Sequence, residues 1–378
     1  MGSELKKVPR YRQVYGALER GIRSGRWKRG DRLPSEAQLV RDFGASRITV
    51  GRAVRDLQLA GLVERHAGSG TFVRGARRAV PSSFGLLIPD LGETEIFEPI
   101  CQGMMASPLA QEHALIWGSV ADAGASKAEN ALRLCRQFID RKVSGVFFAP
   151  LEFISARDDV NRRIVEALDE ASIPVVLLDR AAAPFPERDH HDLVGLDNRH
   201  AGFVVTEHLL ALGARRIAFV GVPNAAATVE ARESGYREAL VARGLEPERT
   251  LMRRLDPGDL DAVRSLMMDH RPEAVVCAND RTAARLMHTL GDLGFAVPRD
   301  VRLVAIDDTD YAAFLPTPLT TLRQPTREIG AAALAAMLDR VGGSDLATRD
   351  ILLRGTLVVR RSCGSPATRA PSSAISSV

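Results

Sequence analysis

Residues 30–60 read GDRLPSEAQLVRDFGASRITVGRAVRDLQLA, and this stretch decides the fold of the N-terminal part of the chain. Ser35 stands three residues before Gln38, which is the pattern of a helix capping box, so a short helix is predicted from there to the turn at Gly44. Ser46 follows the turn and can cap a second helix. The buried face of this second helix is predicted from apolar residues at i, i+3, i+4 and i+7, namely Val50, Ala53, Val54 and Leu57. Two helices joined by a tight turn predict a helix-turn-helix.

The flanking sequence extends this motif on both sides. Residues 10–24 predict a further helix, whose apolar residues recur at a spacing of four and share one face: Val14, Leu18 and Ile22. Two strand-like runs, 62–65 and 71–74, are joined across Gly68-Ser69-Gly70, which predicts a β-hairpin with a glycine turn. Three helices and a hairpin together predict a winged helix-turn-helix domain over residues 1–74.

From residue 84 onwards the pattern changes to apolar strands that alternate with amphipathic helices. The predicted strands are Phe84–Pro89, Ala114–Trp117, Gly145–Ala149, Pro174–Leu178, Arg216–Val220, Ala274–Ala278 and Val301–Ile306. Helices are predicted between them at Glu129–Arg141, Arg199–Leu212, Arg232–Arg243 and Arg281–Leu290. This alternation predicts an α/β domain with parallel sheets, and its length of about 280 residues predicts two lobes, over residues 84–361. Residues 75–83 are predicted to form a linker, and residues 362–378, rich in Ser, Ala and Pro, a disordered tail.

Charge is divided unequally along the chain. The net charge is +4, but residues 1–78 hold 18 Lys and Arg against 7 Asp and Glu, whereas the remainder holds 33 against 40. A small basic domain joined to a larger acidic one is typical of a nucleic-acid-binding protein with a separate control module. The alternative to nucleic-acid binding is that these basic residues form an ordinary solvated face.

Composition argues against several other classes of protein. No apolar run is long enough to span a bilayer, and residues 1–10 are polar and basic, without the apolar segment of a signal peptide. The four cysteines show no CxxC spacing, which argues against a disulfide framework or a zinc site and favours a reducing cytoplasm. An enzyme is not expected, since the chain has no Walker A loop, GxSxG or HExxH, and no GxGxxG after a strand.

The second helix of the helix-turn-helix carries the side chains expected to read DNA. Arg47 and Thr49 lie in its first turn, the end that enters the major groove, and an arginine can donate two hydrogen bonds to guanine. Ser46 and the helix N-terminus favour a phosphate nearby. Arg47, Gly51 and Arg55 are predicted to share a stripe opposite the buried face, with Arg52 beside it. The alternative for any one of these arginines is a solvent-facing helix former.

Residues 11–73 resemble the DNA-binding domain of the GntR family of winged-helix regulators. The matching segments are Tyr11, residues 22–25 (IRSG), 30–36 (GDRLPSE), 43–50 (FGASRITV), Leu57, 61–63 (GLV) and 68–73 (GSGTFV). The resemblance implies DNA contacts from Arg47 and Thr49, from Ser35 near the backbone, and from the wing around Gly68. The predicted DNA-binding set is therefore Tyr11, Ser35, Ser46, Arg47, Thr49, Arg52, Gly68 and Gly70.

Two positions depart from that family. Ala37 stands where an arginine is common, and Gly51 stands where a basic residue is common. Direct readout is therefore expected to rest on Arg47 and Arg52. Gly51 lowers helix propensity by up to about 1 kcal/mol relative to alanine, and it is expected to permit close approach to the DNA backbone.

Residues 84–359 resemble the effector domain of LacI/GalR-type repressors, which share the fold of periplasmic sugar-binding proteins. The resemblance is carried by residues 85–89 (GLLIP), 173–180 (IPVVLLDR), Leu209, 212–218 (LGARRIA), 232–236 (RESGY), 278–280 (AND), 297–301 (VPRDV), 306–308 (IDD) and 318–322 (PLTTL). Ala305-Ile306 departs from the glycine and aromatic residue usual in that family, and the LacI-type hinge helix is missing because a different head has been joined. A GntR-type head on a LacI-type body resembles the architecture of arabinose-repressor-type regulators.

A cleft between two α/β lobes suits a polar small molecule, because the carboxyl ends of the strands converge there. By the resemblance, the effector-binding residues are Asp90 and Phe97 after the first strand, Asp179 and Arg180 after the fourth, and Arg232, Asn279 and Asp307 in the second lobe. Carboxylate, amide and guanidinium groups can partner the hydroxyls of a sugar-like ligand. The alternatives are helix capping for Asp307, a strand-end turn for Asn279 and a core position for Phe97.

Together these patterns predict a cytoplasmic, sequence-specific transcription regulator of the repressor type. It is expected to act as a homodimer on double-stranded operator DNA and to respond to a sugar-like effector. With two tryptophans in the chain, purine rings would find few stacking partners. No cofactor, metal or membrane is expected; His190-His191 lie in a loop without a second pair of ligands. The alternative, a solute-binding protein of a transport system, accounts for the body but not for the basic head or the N-terminus.

Overall fold

The structure is a computed structural model, and it describes residues 10–23, 25–28, 30–59, 62–66, 69–73, 82–89, 95–118, 124–154, 157–344 and 346–365. The chain divides into two compact units between Ser82 and Ser83. Most of the predicted linker and of the predicted tail lies outside the described residues.

The N-terminal unit is a three-helix head with a two-stranded wing. Its helices are α1 (Arg10–Arg23), α2 (Glu36–Phe43) and α3 (Arg47–Leu59), and its antiparallel strands are β1 (Val63–His66) and β2 (Gly70–Val73). The predicted apolar faces of α1 and α3 form the core, where Val14, Leu18, Ile22, Val50, Ala53, Val54 and Leu57 are at most 4% exposed. The prediction of a winged helix-turn-helix is confirmed.

Both predicted helix caps form in the head. Ser35 Oγ accepts a hydrogen bond from the backbone N–H of Gln38 at 3.3 Å, and Ser46 Oγ accepts one from the N–H of Thr49 at 3.2 Å. Gly44, between the two helices, has φ of 56°, a left-handed conformation that glycine adopts without strain. Local sequence therefore sets the turn that separates α2 from α3.

The wing is wider than the predicted hairpin. The backbone N–H of Gly30 donates to the carbonyl of Val73, and the N–H of Leu33 donates to the carbonyl of Thr71, both at 2.8 Å. The N–H of Val73 in turn donates to the carbonyl of Asp31 at 2.8 Å. The segment before α2 thus pairs along β2 and connects the wing to the helix-turn-helix.

The second unit alternates strands with helices, as the sequence predicts. Its strands are β3 (Ser82–Leu87), β4 (His113–Trp117), β5 (Gly145–Phe148), β6 (Val175–Leu178), β7 (Asp192–Leu196), β8 (Ile217–Gly221), β9 (Met252–Arg254), β10 (Ala274–Cys277), β11 (Arg302–Asp307), β12 (Thr320–Arg323), β13 (Asp350–Leu353) and β14 (Thr356–Val358). Its helices are α4 (Phe97–Ala106), α5 (Lys127–Asp140), α6 (Arg157–Glu170), α7 (Asn198–Ala211), α8 (Ala227–Ala242), α9 (Leu260–Asp269), α10 (Asp280–Asp292) and α11 (Thr326–Val341).

These strands form two six-stranded sheets, one for each lobe. The first has the order β4-β3-β5-β6-β7-β13, in which the pairs from β3 through β13 are parallel. The second has the order β9-β8-β10-β11-β12-β14, in which the pairs from β9 through β12 are parallel and β14 is an antiparallel edge strand. The prediction of two lobes built on parallel sheets is confirmed.

Helices cover both faces of each sheet. In the first lobe, α4 and α11 pack on one face and α5 and α6 on the other. In the second lobe, α7 and α8 pack on one face and α9 and α10 on the other. Because the inner strands are buried on both faces, they are apolar throughout, and polar residues are found where the strands end.

Two boundaries of the body differ from those predicted. The strand β3 begins at Ser82, inside the predicted linker. Ser362 and Cys363, predicted to lie in a disordered tail, are 0% exposed. Ser362 Oγ donates to a carbonyl of β11 at 2.7 Å and accepts from the first N–H of β12 at 2.8 Å. The body therefore continues past residue 361, because Ser362 is buried and hydrogen-bonds to two strands of the second sheet.

Candidate functional site

The outward face of α3 carries arginines. Arg47, Arg52 and Arg55 are exposed, and together with Arg65 of β1 they line a surface depression of about 650 Å³. Glu36 and Asp56 also line it. The guanidinium groups outnumber the carboxylates, so the depression has the charge that favours a polyanion.

The predicted residues of the turn lie beside this face. Ser46 Oγ caps α3 and lies 2.8 Å from Thr49 Oγ1, so both hydroxyls are near the positive end of the helix. The guanidinium of Arg52 lies 4.1 Å from the ring centroid of Tyr11, in cation–π geometry. Two predicted DNA-binding residues, one on α1 and one on α3, therefore hold each other in place. Ser35 is exposed at the start of α2.

The wing is tied to the helix-turn-helix by an ion pair between Arg65 and Glu36. Gly70 has φ of 122°, a conformation that L side chains rarely adopt. A Cβ at this position would also lie 2.6 Å from Nε of Arg32. The backbone therefore favours glycine at residue 70, whereas the exposed Arg32 side chain could move aside. Gly68, predicted as a wing contact, lies outside the described residues.

Sequence reasoning missed Ile48, whose side chain is 86% exposed. Ile48, Arg52 and Arg55 are spaced i, i+4 and i+7, and they lie opposite the buried face of α3. Arg47 and the half-buried Gly51, assigned to that stripe from the sequence, lie to one side of it. Counting 100° per residue from Val50 would have placed Ile48 on the outward face.

In the second unit, five of the predicted effector residues line one cavity between the lobes: Asp179, Arg180, Arg232, Asn279 and Asp307. The lining also contains residues that the sequence analysis did not single out, among them Ile96, Glu152, Phe153, Val222 and Ala225. Most of them follow a strand of one lobe or the other. The sequence signal that could have found Glu152 is its position four residues after β5, at the carboxyl end of a parallel strand.

The first lobe contributes a buried charged cluster to this cavity. Arg180 Nη1 lies 2.6 Å from Glu152 Oε1, and the two side chains are 4% and 7% exposed. The same Nη1 lies 3.8 Å from Asp179 Oδ2. Asp179 has φ of 68°, which is uncommon outside glycine, and its buried Oδ1 has no hydrogen-bond partner among the residues that the structure describes. A ligand hydroxyl could satisfy that oxygen.

The second lobe contributes Arg232 of α8, which is 4% exposed. Its Nε donates to Asn198 Oδ1 at 2.7 Å, its Nη1 donates to the carbonyl of Ala278 at 2.6 Å, and its Nη2 lies 3.6 Å from Asp307 Oδ1. A Cβ on Gly202 of α7 would overlap the carbonyl oxygen of Arg232, so the close packing of α7 against α8 sets the position of this arginine.

Asn279 lines the cavity and also caps α10. Its Oδ1 accepts a hydrogen bond from the backbone N–H of Thr282 at 2.9 Å. Asn279 is thus a helix cap, not the strand-end turn of its alternative interpretation. Because its oxygen is used by the cap, its amide nitrogen is the group that can donate to a ligand.

Asp307 is a partly buried carboxylate rather than a helix cap, since its side chain is 12% exposed and Gln324 Nε2 donates to its Oδ1 at 2.7 Å. Burial raises the pKa of Asp307; Arg232 lowers it, and the carboxylate of Asp280 raises it further. Burial also raises the pKa of Asp280, which accepts hydrogen bonds from two threonines. The lining of the cavity contains three carboxyl groups, of Glu152, Asp179 and Asp307, and two guanidinium groups, of Arg180 and Arg232.

The two remaining predicted effector residues are Phe97 and Asp90. Phe97 is the first residue of α4, is 0% exposed and packs in the core of the first lobe, as its alternative interpretation had it. The centroid of its ring lies 5.4 Å from the Arg180 guanidinium, which lines the cavity. Asp90 lies outside the described residues.

Contacts between the lobes close one side of the cavity. The backbone N–H of Phe153 donates to the carbonyl of Asn224 at 2.9 Å, and Arg157 Nη1 donates to the same carbonyl at 3.2 Å. The N–H of Ala226 donates to Glu152 Oε2 at 3.3 Å. The cavity volume is about 30 Å³, far below the roughly 300–1,000 Å³ of a typical small-molecule site. A sugar ring therefore needs the lobes or the lining side chains to move.

The remaining candidate motif is His190-His191. His191 Nε2 lies 3.3 Å from Asp169 Oδ2. Within the described ranges no group of three or more His, Cys, Asp or Glu side chains could hold a metal ion. In that same part of the chain, no helix is both long and apolar enough to cross a membrane.

Comparison with protein families matches both units. Residues 10–73 match the bacterial regulatory proteins of the gntR family. Residues 206–363 match a periplasmic binding protein-like domain, and this match also extends beyond residue 361.

Individual proteins match the chain as well. The arabinose metabolism transcriptional repressor of Geobacillus stearothermophilus is 26% identical over 94% of this chain and 98% of its own. The HTH-type transcriptional regulator CelR of Thermobifida fusca is 32% identical over 61% of this chain and 66% of its own. A solved transcriptional regulator CelR–cellobiose complex has a TM-score of 0.62 at 25% identity, over 84% of this chain and 90% of that one. The chain is therefore a DNA-binding transcription regulator, whose head matches the gntR family and whose two-lobed body matches a periplasmic binding protein-like domain.

Proposed function

We propose that the protein is a cytoplasmic repressor that binds a pseudo-palindromic operator as a homodimer and changes its operator affinity when a small polyhydroxylated molecule binds between the lobes. The observation that carries the proposal is the convergence of carboxylate, guanidinium and amide groups from both lobes on one buried cavity. The arginine-lined face of α3 supplies the second half of the function, which is binding to DNA.

The chemistry of the cavity supports a sugar-like effector. A hydroxyl donates one hydrogen bond and accepts others, so it needs both acceptors, such as Asp179 and Asp307, and donors, such as Arg180 and Arg232. Apolar lining from residues such as Phe153 suits the C–H face of a pyranose or furanose ring. The relative solved with cellobiose has the same two-lobed architecture.

Control of DNA binding is proposed to act through the equilibrium between open and closed lobes. A ligand held by both lobes favours the closed state, and only its differential affinity for the two states can move that equilibrium. Each head is joined to its own body through residues 75–83. Closure of the lobes is therefore expected to change the spacing of the two heads in a dimer rather than to fold a hinge helix.

A homodimer is proposed because one winged head reads only a few base pairs, and two related heads read a two-fold symmetric site. Binding is expected to weaken steeply with salt, since neutralised phosphates release counterions. No catalytic role is proposed, since the polar groups of the cavity are arranged in ion pairs and caps and its relatives are named as regulators.

A direct test combines a mobility shift with a ligand screen. The full chain should shift a DNA fragment from its own upstream region, and Arg47→Ala should weaken that shift. Thermal unfolding over sugars, sugar acids, polyols and nucleosides should identify the effector, which at 100 times its dissociation constant adds about 2.7 kcal/mol of stability. A protein that shifts no DNA and is stabilised by no such compound would contradict the proposal.

A further inference from the structure

Ile48 is a large apolar side chain in the middle of a cationic surface. It is 86% exposed at the second position of α3, and it lines the same depression as Arg47, Arg52, Arg55 and Arg65. The buried face of α3 already supplies the core of the head, so Ile48 contributes little to folding. Exposing an apolar side chain to water is unfavourable, and packing within the head does not offset that free-energy cost.

The charge around Ile48 restricts what can cover it. An apolar surface of another protein would bury the flanking guanidinium groups without partners, which is unfavourable. The partner must instead present an apolar group flanked by negative charge. The major groove of DNA does so at thymine, whose C5-methyl group projects between two rows of phosphates.

The neighbouring glycine supports the same geometry. Gly51 lies three residues after Ile48, on the adjacent part of the helix surface, and a Cβ there would meet no atom within 4 Å. Packing within the head therefore does not require a glycine. Without a side chain at residue 51, the flank of Ile48 stays open, so this part of α3 can approach a base edge closely.

We infer that Ile48 reads the C5-methyl group of a thymine in each half-site of the operator, an assignment that rests on the proposed DNA-binding function. Arg47 at the preceding position supplies hydrogen bonds, and Ile48 supplies the apolar contact that distinguishes thymine from the other bases.

The test removes the methyl group and the side chain separately. A site is first selected by the full chain from a pool of random duplexes, and each thymine is then replaced in turn by deoxyuridine, which lacks only the methyl group. At one position in each half-site, wild-type affinity should fall about fourfold, the factor that corresponds to about 0.8 kcal/mol for one buried methyl group. Ile48→Ala should bind thymine and uracil equally there.

The control is Gln58→Ala, which removes another exposed side chain of α3, in its last turn, and should retain the discrimination. Full discrimination in Ile48→Ala, or a wild-type protein indifferent to every thymine methyl, overturns the inference while leaving the DNA-binding function intact. Failure to select any sequence overturns the proposed function and this inference together. The substitution is at an exposed position, so a circular dichroism spectrum and melting curve like those of the wild type are expected for each variant.

Discussion

Replacing Asp307 by asparagine removes a negative charge from the cavity while preserving its shape. The Oδ1 atom that accepts from Gln324 and lies 3.6 Å from Arg232 is kept. A ligand hydroxyl that donates to this carboxylate loses a charge-assisted hydrogen bond, worth about 1.5–3 kcal/mol. Affinity for the effector should therefore fall roughly 10- to 150-fold. Operator affinity without effector should be unchanged, because DNA is bound by the other unit of the chain.

The same substitution should stabilise the ligand-free protein at neutral and alkaline pH. Burial raises the pKa of Asp307 above the ordinary value of 3.8, so the ionised carboxylate is disfavoured in the folded state. The stability that this group contributes is present below its ordinary pKa and is lost as the pH rises through the higher folded-state pKa. Each unit of elevation costs about 1.4 kcal/mol once both states are ionised. The variant's advantage should grow from acid toward alkaline pH.

Calorimetric titration with the identified effector and thermal unfolding between about pH 5 and pH 8 measure the two effects. Asp261→Asn is the matched control, because its carboxylate on α9 is 89% exposed and pairs with Arg264 at the surface. Its loss should leave effector affinity unchanged and cost less than about 1 kcal/mol of stability, without any gain toward alkaline pH. Undiminished effector affinity in Asp307→Asn would refute the assignment of the cavity. A variant less stable than the wild type at the alkaline end would refute the elevated pKa.

The remaining predictions concern the head and the first lobe. Arg47→Ala should cost about 1–3 kcal/mol of operator affinity and relax the preference at one base pair per half-site; unaltered mobility shifts against operator variants would contradict this. Gly51→Ala should stabilise the head by up to about 1 kcal/mol, since its Cβ meets no atom within 4 Å, yet weaken operator binding; tighter binding would argue against close approach. Asp192 is 0% exposed and forms ion pairs with Arg340 and Arg349, so Asp192→Ala should destabilise the body by about 3 kcal/mol in denaturant unfolding; a negligible loss would show that these two ion pairs are not needed.

The head could be read from the sequence because its signals are local. The caps Ser35 and Ser46 act within three residues, and the apolar face of α3 repeats within two turns. The pairing of residues 30–33 with β2 was not predicted from the sequence, because it joins segments that lie far apart in the chain. The helical period already implied that Ile48 faces outward. An exposed isoleucine does not by itself indicate a binding site, however, and only the structure shows it on the same surface as the arginines.

The body was predicted as alternating strands and helices, and the predicted strands correspond to β3, β4, β5, β6, β8, β10 and β11. The strands β7, β9, β12, β13 and β14 were missed. Of these, β13 and β14 are short, partly exposed edge strands that pair with strands distant in sequence. Cys363 was assigned to the tail because its neighbourhood is rich in serine, whereas the segment is buried against the second sheet.

The sequence by itself determined the two-domain organisation, the DNA-binding character of the basic head and the residue types that an effector site would use, because those features follow from composition, periodicity and short motifs. Only the tertiary structure decided which atoms meet. It placed Glu152 2.6 Å from Arg180, brought Asp307 opposite Arg232, and assigned Phe97 to the core. Each of these contacts joins residues of one lobe that lie on different elements far apart in the chain. Their distances depend on how the strands and helices of that lobe pack together, which no local pattern encodes.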